Sequence, residues 1–175
     1  MPKQLKISYE KCTGCKSCEV ACSLFNEGHM NPSKSRISVI IFIEGKYTLP
    51  FNFVSTCKQC ADAPCLKNCP VNAISRLKDK TKRVVIDKDK CIGCGKCGKV
   101  CPFGAMLFNI ENNKAFKCEL CDGNPVCALI CPTGAIKYVN RKSFYAQYVD
   151  CQMQGWSIIY KINRDIFKNA KKKQS

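Results

Sequence analysis

The chain has 175 residues, enough for one domain or two small ones, and 46% of them are apolar. Seventeen residues are cysteine, so the hydrocarbon core is thin, and a small domain of that kind needs covalent or metal staples. The formal net charge of +16 favours an acidic partner, yet aromatic side chains are not interleaved with the basic ones as a base-stacking platform needs, which argues against nucleic acid.

In chain order, Met1 to Glu10 lacks an apolar signal core and a twin-arginine pair, so the cytoplasm is the expected location. The first cysteine cluster is Cys12-x2-Cys15-x2-Cys18-x3-Cys22. The polar stretch Asn26-Glu27-Gly28-His29 follows, and His29, the sole histidine, is expected in an exposed loop. Ile37 to Ile43 is far too short to span a bilayer and predicts a strand, paired through Glu44-Gly45-Lys46 with Tyr47 to Val54. Pro50 pushes that second strand toward an edge. The second cluster is Cys57-x2-Cys60-x4-Cys65-x3-Cys69. Ile74 to Leu77 and Arg83 to Ile86 predict a hairpin across Lys78-Asp79-Lys80-Thr81-Lys82. The lysines from Lys78 to Lys90, with Arg83, predict a solvated basic face. The third cluster, Cys91-x2-Cys94-x2-Cys97-x3-Cys101, leads to a hairpin of Met106 to Ile110 and Lys114 to Lys117. The fourth is Cys118-x2-Cys121-x5-Cys127-x3-Cys131.

Each cluster has the spacing of an iron–sulfur ligand set. A [4Fe-4S] cube has four iron corners, each needing a thiolate, and a C-x2-C-x2-C loop can wrap three of them. In bacterial two-cluster ferredoxins the fourth cysteine, followed by proline, ligates the other cluster. Cys69-Pro70, Cys101-Pro102 and Cys131-Pro132 carry that step, while Cys22-Ser23 departs from it. The phrase recurs as Cys69-Pro70-Val71-Asn72-Ala73-Ile74, Cys101-Pro102-Phe103-Gly104-Ala105-Met106 and Cys131-Pro132-Thr133-Gly134-Ala135-Ile136. In each, the x3 spacing suits a short helical turn, which Pro and Gly or Asn end before a strand. Structural zinc is the main alternative, but its ligands come as two C-x2–4-C pairs with a longer loop between. Disulfides need an oxidising compartment and rarely place so many C-x-x-C pairs side by side. Thiol redox motifs come singly, near a βαβ pattern that is lacking here. Thiolates around a cube leave each site at about −2, which would bring four loaded sites and the chain to about +8.

From Ser143 to Phe167 there is no proline, and Val149, Met153, Trp156 and Tyr160 share a helical face. A C-terminal amphipathic helix is predicted, with a basic tip at Lys171-Lys172-Lys173. It packs on its own domain or docks on a larger subunit. Cys151, the seventeenth cysteine, reads as a small buried apolar residue in that helix.

From about Leu5 to Tyr138 the chain resembles the four-cluster, sixteen-cysteine ferredoxin-like electron-transfer subunits of molybdenum- and tungsten-pterin oxidoreductases. Within that group it looks most like the iron–sulfur subunits of tungsten-containing aldehyde ferredoxin oxidoreductases. Cys18-Glu19-Val20-Ala21-Cys22-Ser23-Leu24, Asn31-Pro32-Ser33, Arg36-Ile37 and Lys117-Cys118-Glu119-Leu120-Cys121-Asp122-Gly123-Asn124-Pro125 carry the finer likeness. The resemblance implies an α+β fold of two nested ferredoxin-like halves with short β-hairpins, plus a C-terminal helix. The four-cluster domain would cover residues 1–140, with an outer half of 5–36 and 115–140 and an inner half of 55–110. Residues 141–175 would be the helical extension and basic tail. It further implies four [4Fe-4S] clusters with exchanged ligands. One takes Cys57, Cys60, Cys65 and Cys101, and another Cys91, Cys94, Cys97 and Cys69. A third takes Cys12, Cys15, Cys18 and Cys131, and the last Cys118, Cys121, Cys127 and Cys22.

The resulting expectation is an electron-transfer subunit with no active site of its own. It would relay electrons between a larger tungsten- or molybdenum-pterin catalytic subunit, aldehyde-oxidising by the resemblance, and a soluble acidic acceptor such as ferredoxin, in an anaerobic setting. The alternatives are a free polyferredoxin, which would ordinarily be small and acidic, and the small subunit of a formate dehydrogenase- or hydrogenase-type complex. A catalytic iron–sulfur enzyme would need an open iron, yet all four motifs are complete.

Overall fold

The computed structural model describes residues 3–42 and 51–140. The turn at 44–46, Pro50, Cys151, the tail helix and the lysine tip lie outside the described residues. What is described is a small mixed structure of short helices and two-stranded antiparallel sheets.

The helices sit where the cysteine spacing places them. α1 (Ser17–Glu27) carries Cys18 and Cys22, α2 (Pro64–Lys67) carries Cys65, α3 (Lys96–Lys99) carries Cys97, and α4 (Val126–Ile130) carries Cys127. α2, α3 and α4 last only four or five residues, because the Cys-Pro step follows and proline does not continue a helix. α1 has Ser23 at that point and runs for eleven residues, until Gly28 closes it at φ 75. Its departure from the Cys-Pro pattern is thus a longer helix.

β2 (Ile37–Phe42) pairs with β3 (Phe51–Thr56), Ile37 opposite Thr56 and Val39 opposite Val54. β4 (Ile74–Arg76) pairs with β5 (Val84–Ile86), Ile74 opposite Ile86. β6 (Leu107–Phe108) and β7 (Ala115–Phe116) form a two-residue hairpin. The fourth sheet pairs β1 (Lys3–Ile7) with β8 (Ile136–Asn140), joining the two ends of the described chain. The alternation Leu5/Ile7 against Ile136/Tyr138 puts Leu5 and Ile136 inward, both nearly fully buried.

Two apolar cores result. The first gathers Leu5, Ile37, Val39, Val54, Leu120 and Ile136 around Cys18, Cys22, Cys118 and Cys127. The second gathers Ala63, Ile74, Val84, Ile86, Met106 and Ala115 around Cys97. α1 packs on α4, and α2 on α3. A stacked pair, Tyr9 on Phe53 with centroids 5.2 Å apart, adds to the first side.

The edge of β5 is closed by side chains in place of a further strand. The Val84 N–H donates to Gln59 Oε1 (2.7 Å) and the Ile86 N–H to Glu119 Oε1 (2.9 Å). The Val84 carbonyl accepts from Gln59 Nε2 and Lys117 Nζ. Arg83 corrects the expectation of a solvated basic face: it is buried, and donates to the Glu119 carbonyl (3.0 Å) and Asp122 Oδ1 (2.7 Å). A guanidinium reaches several acceptors in one plane, so it can be buried where an orphaned carbonyl and a carboxylate converge. Lys78, Lys80, Lys82, Lys88 and Lys90 are exposed as expected, and so is His29, whose Nδ1 lies 2.9 Å from the Glu27 carbonyl.

Candidate metal centre

All four loops turn the same way. The residue before the second cysteine has positive φ in every motif: Gly14 at 73, Gln59 at 51, Gly93 at 70 and Leu120 at 60. That turn lets two cysteines three positions apart face one hollow. Gln59 and Leu120 hold it without glycine, a strain of the kind that collects at ligand clamps. Beyond the fourth cysteine, Asn72, Gly104 and Gly134 also have positive φ, and their N–H groups donate to the Cys69, Cys101 and Cys131 carbonyls at 3.2–3.3 Å.

The thiols of different motifs converge. One hollow is lined by Cys69, Cys91, Cys94 and Cys97, closed by Ile74, Ile86 and Phe108. A second is lined by Cys57, Cys60, Cys65 and Cys101, with Met106 and Lys117 in its wall. Counting the space open to solvent at their mouths, they hold about 340 and 400 Å³. Cys127 belongs to a third group: burial first, then repulsion from Cys118, Cys121 and Cys22, pushes its thiol up. In the first motif, burial, then Glu19, then Cys12 and Cys15 raise Cys18 to about 12. Cys131 caps α4, which packs on α1, and it borders the same core as Cys12 and Cys18. No direct interaction of Cys131 with Cys12, Cys15 or Cys18 is seen among the described residues.

The groups also touch one another electrostatically. Cys65 contributes to raising Cys97, Cys57 to raising Cys118, and Cys18 to raising Cys127, in each case after burial as the main cause. The packing of α2 on α3 and of α1 on α4, with Gln59 Nε2 donating to the Cys118 carbonyl at 2.7 Å, orders the groups in a row with the Cys57 and Cys118 groups in the middle.

The donor set fits an iron–sulfur cluster. Among the described residues sixteen thiols are free of disulfides, and four of them line each of the two hollows. Burial pushes Cys60 and Cys118 up to about 12 and Cys97 up to about 11, so near neutral pH the positive charge of bound metal would be what draws these protons off. A tetrahedral zinc site places sulfur about 2.3 Å from one ion. Among the described residues no group of three or more His, Cys, Asp or Glu is placed to hold a single metal ion. The backbone also donates to sulfur: Ala73 N–H to Cys69 (3.2 Å), Arg36 N–H to Cys22 (3.3 Å), Gln59 N–H to Cys57 (3.4 Å) and Ala115 N–H to Cys91 (3.4 Å). Such hydrogen bonds tune cluster potentials. Asn26 Nδ2 adds a contact to Cys22 at 3.5 Å, and Ser17 Oγ one to Cys15 at 3.5 Å.

Several polar residues of this region carry no motif. Gln59, Lys117, Glu19 and Arg83 are all buried, and Gln59 and Lys117 line the Cys57, Cys60, Cys65 and Cys101 hollow. Glu19 and Lys117 stand in the phrases beside the cysteines of the first and fourth motifs and Gln59 lies inside the second, whereas nothing in the sequence marks Arg83. Among the described residues no helix is long and apolar enough to cross a membrane.

Comparison with known proteins agrees with this chemistry. Residues 50–141 match the family model of the 4Fe-4S dicluster domain, and residues 9–28 that of a 4Fe-4S binding domain. The chain is 42% identical over 125 residues to the polyferredoxin-like subunit of the aliphatic sulfonate oxidoreductase of Pyrococcus furiosus, covering 71% of this chain and 69% of that one. It is 33% identical over 138 residues to the thiosulfate reductase electron transfer subunit of Salmonella typhi, covering 74% and 71%. With the beta subunit of the NADH-dependent phenylglyoxylate dehydrogenase of Aromatoleum evansii it shares 35% over 141 residues, which is 80% of this chain and 31% of the other.

Proposed function

The chain belongs to the 4Fe-4S dicluster family, and from that premise we propose that it is the electron-transfer subunit of an oxidoreductase complex, relaying electrons through four [4Fe-4S] clusters. The observation that carries this is the row of four thiol groups, in which the elements that hold each group lie against those that hold the next. Bound clusters supply one-electron redox centres. The chain's own residues bind them, donate backbone N–H groups to the sulfurs and keep water from the inner thiols.

The proposed ligand sets are Cys69, Cys91, Cys94 and Cys97; Cys57, Cys60, Cys65 and Cys101; Cys22, Cys118, Cys121 and Cys127; and Cys12, Cys15, Cys18 and Cys131. The first two are supported by the hollows those thiols line, and the third by the mutual repulsion of its members. The two apolar cores support reading the chain as an inner half of 55–110 and an outer half of 5–36 with 115–140, each ferredoxin-like and nested one in the other.

The partner is read as a larger tungsten- or molybdenum-pterin catalytic subunit, with a soluble acidic carrier such as ferredoxin at the far end of the row. The resemblance in Cys18 to Leu24 and Lys117 to Pro125 supports an aldehyde as its substrate, while the 42% identical relative is named for aliphatic sulfonates. The test is anaerobic purification from the native source. About sixteen iron and sixteen sulfide per chain are expected, together with a co-purifying larger subunit that carries a pterin-bound metal. About eight iron, or zinc in its place, would end the four-cluster reading.

A further inference from the structure

Lys117 is the most buried charged residue described, with 1% of its surface exposed. A lysine ammonium has three protons to donate and accepts none. Here Nζ donates to the Val84 carbonyl and, at 3.2 Å, to the Cys118 carbonyl. Among the described residues no carboxylate lies within ion-pair distance of it. An ammonium so deeply buried is costly unless negative charge lies near. The negative charge on offer is that of thiolates: Lys117 lines the Cys57, Cys60, Cys65 and Cys101 hollow, and its own chain neighbour is Cys118.

The ends of the row are different. No charged side chain lines the Cys69, Cys91, Cys94 and Cys97 hollow. At the other end the charged neighbour of Cys18 is the buried carboxylate of Glu19, the next residue in the chain. Three further cations lie near the middle, and all are weaker: Arg83, held against the Cys118 loop, is ion-paired with Asp122 at 2.7 Å. Lys58 lines the same hollow but is only half-buried, where water screens it. Arg36 is paired with Glu119 at 3.6 Å, which offsets its charge.

We propose that Lys117 is the buried counter-cation of the two middle thiol groups, and that its charge makes the middle of the row easier to reduce than its ends. The inference rests on reading those groups as cluster sites. An electron added beside a fixed cation is stabilised in proportion to the field, so each middle potential rises. A row with a low-energy middle lets electrons enter from either end and dwell between, away from solvent.

The test is a redox titration of the iron-loaded protein, followed by electron paramagnetic resonance, in Lys117→Met, Lys117→Arg and the exposed control Lys80→Gln. In Lys117→Met, at the potential where the two wild-type middle clusters are half reduced, the reduced-to-oxidised ratio should fall at least tenfold. That equals about 59 mV for a one-electron couple. The two remaining waves should move less than threefold, and Lys80→Gln should move none. Selective loss of the middle iron in Lys117→Met, with iron and potentials kept in Lys117→Arg, also supports the counter-cation. Full iron with unmoved potentials in Lys117→Met overturns it. So does an equal shift of all four waves, or the same iron loss in the Met and Arg variants, which would make Lys117 a packing residue. Failure of the underlying cluster reading is distinct, because wild-type protein would then lack its iron.

Discussion

Gln59 is a useful place to perturb, because its amide alone satisfies one buried donor. The Val84 N–H on the closed edge of β5 has Gln59 Oε1 as its acceptor at 2.7 Å. Gln59 Nε2 also donates to the Cys118 carbonyl (2.7 Å) and the Val84 carbonyl (3.4 Å), but Lys117 Nζ serves both of those. Gln59→Met keeps the length and removes the polar atoms. One buried N–H is then orphaned, at about 1–3 kcal/mol, while the two carbonyls keep a donor. Met pays the same backbone strain as Gln at φ 51, so that cost cancels. Since about 1.4 kcal/mol is tenfold in an equilibrium, the opened form should become about 5 to 150 times more populated. The assay is anaerobic iron release to a ferrous chelator, whose rate follows the opened population when closing is fast. The variant should start with full iron and lose it faster by that factor. Release within twofold of wild type would refute the claim that Gln59 ties the second loop to β5 and Cys118.

Two further results are expected. A Cβ on Gly93 would meet the Asn113 carbonyl oxygen at 2.7 Å in a backbone held at φ +70, whereas one on Gly28 would meet nothing within 4 Å at a similar φ. Gly93→Ala should therefore lose iron at the Cys91 loop, while Gly28→Ala should keep full iron and cost only the left-handed strain of about 1–2 kcal/mol, readable by thermal unfolding. In metal-free protein at pH 8, an alkylating reagent followed by mass spectrometry should label Cys15 first, because Ser17 hydrogen-bonds its exposed sulfur and lowers its pKa. Cys60 and Cys118, raised by burial from 9.0 to about 12, should be labelled last. The same shifts give a pH dependence. A thiol whose pKa is raised by folding stabilises the fold fully below about pH 9, and that contribution is lost as pH climbs toward 12. Uniform labelling would show that the metal-free chain does not hold this fold.

The helical turns between third and fourth cysteines were legible because spacing and Cys-Pro steps are local. So was the hairpin of 74–76 with 84–86, framed by a polar turn. The pairing of Lys3–Ile7 with Ile136–Asn140 was not, since no turn joins segments at opposite ends of the described chain. Only the short alternation in each strand hints at it. The extra length of α1 was present in Cys22-Ser23, but its meaning emerges only when the helix is seen running on to Gly28. Arg83 and Lys117 show a different gap. Basic residues are read from sequence as solvated by default, and their burial depends on which carbonyls and thiolates the fold leaves needing a cation.

That gap bears on what holds the fold. Each of the four sheets among the described residues has two strands, a size that is marginal alone in water. Four of the ten buried residues of the first core are cysteines, and the second core is ringed by Cys65, Cys69, Cys91 and Cys101. The apolar side chains thus pack around hollows more than against one another. Without metal, those hollows confront buried thiols, a buried ammonium and the strained turns at Gln59 and Leu120 with little to offset them. With clusters in place, the same features become ligands, a counter-charge and clamps. Loading and folding are therefore coupled here, and the cofactor-bound state is the more stable one.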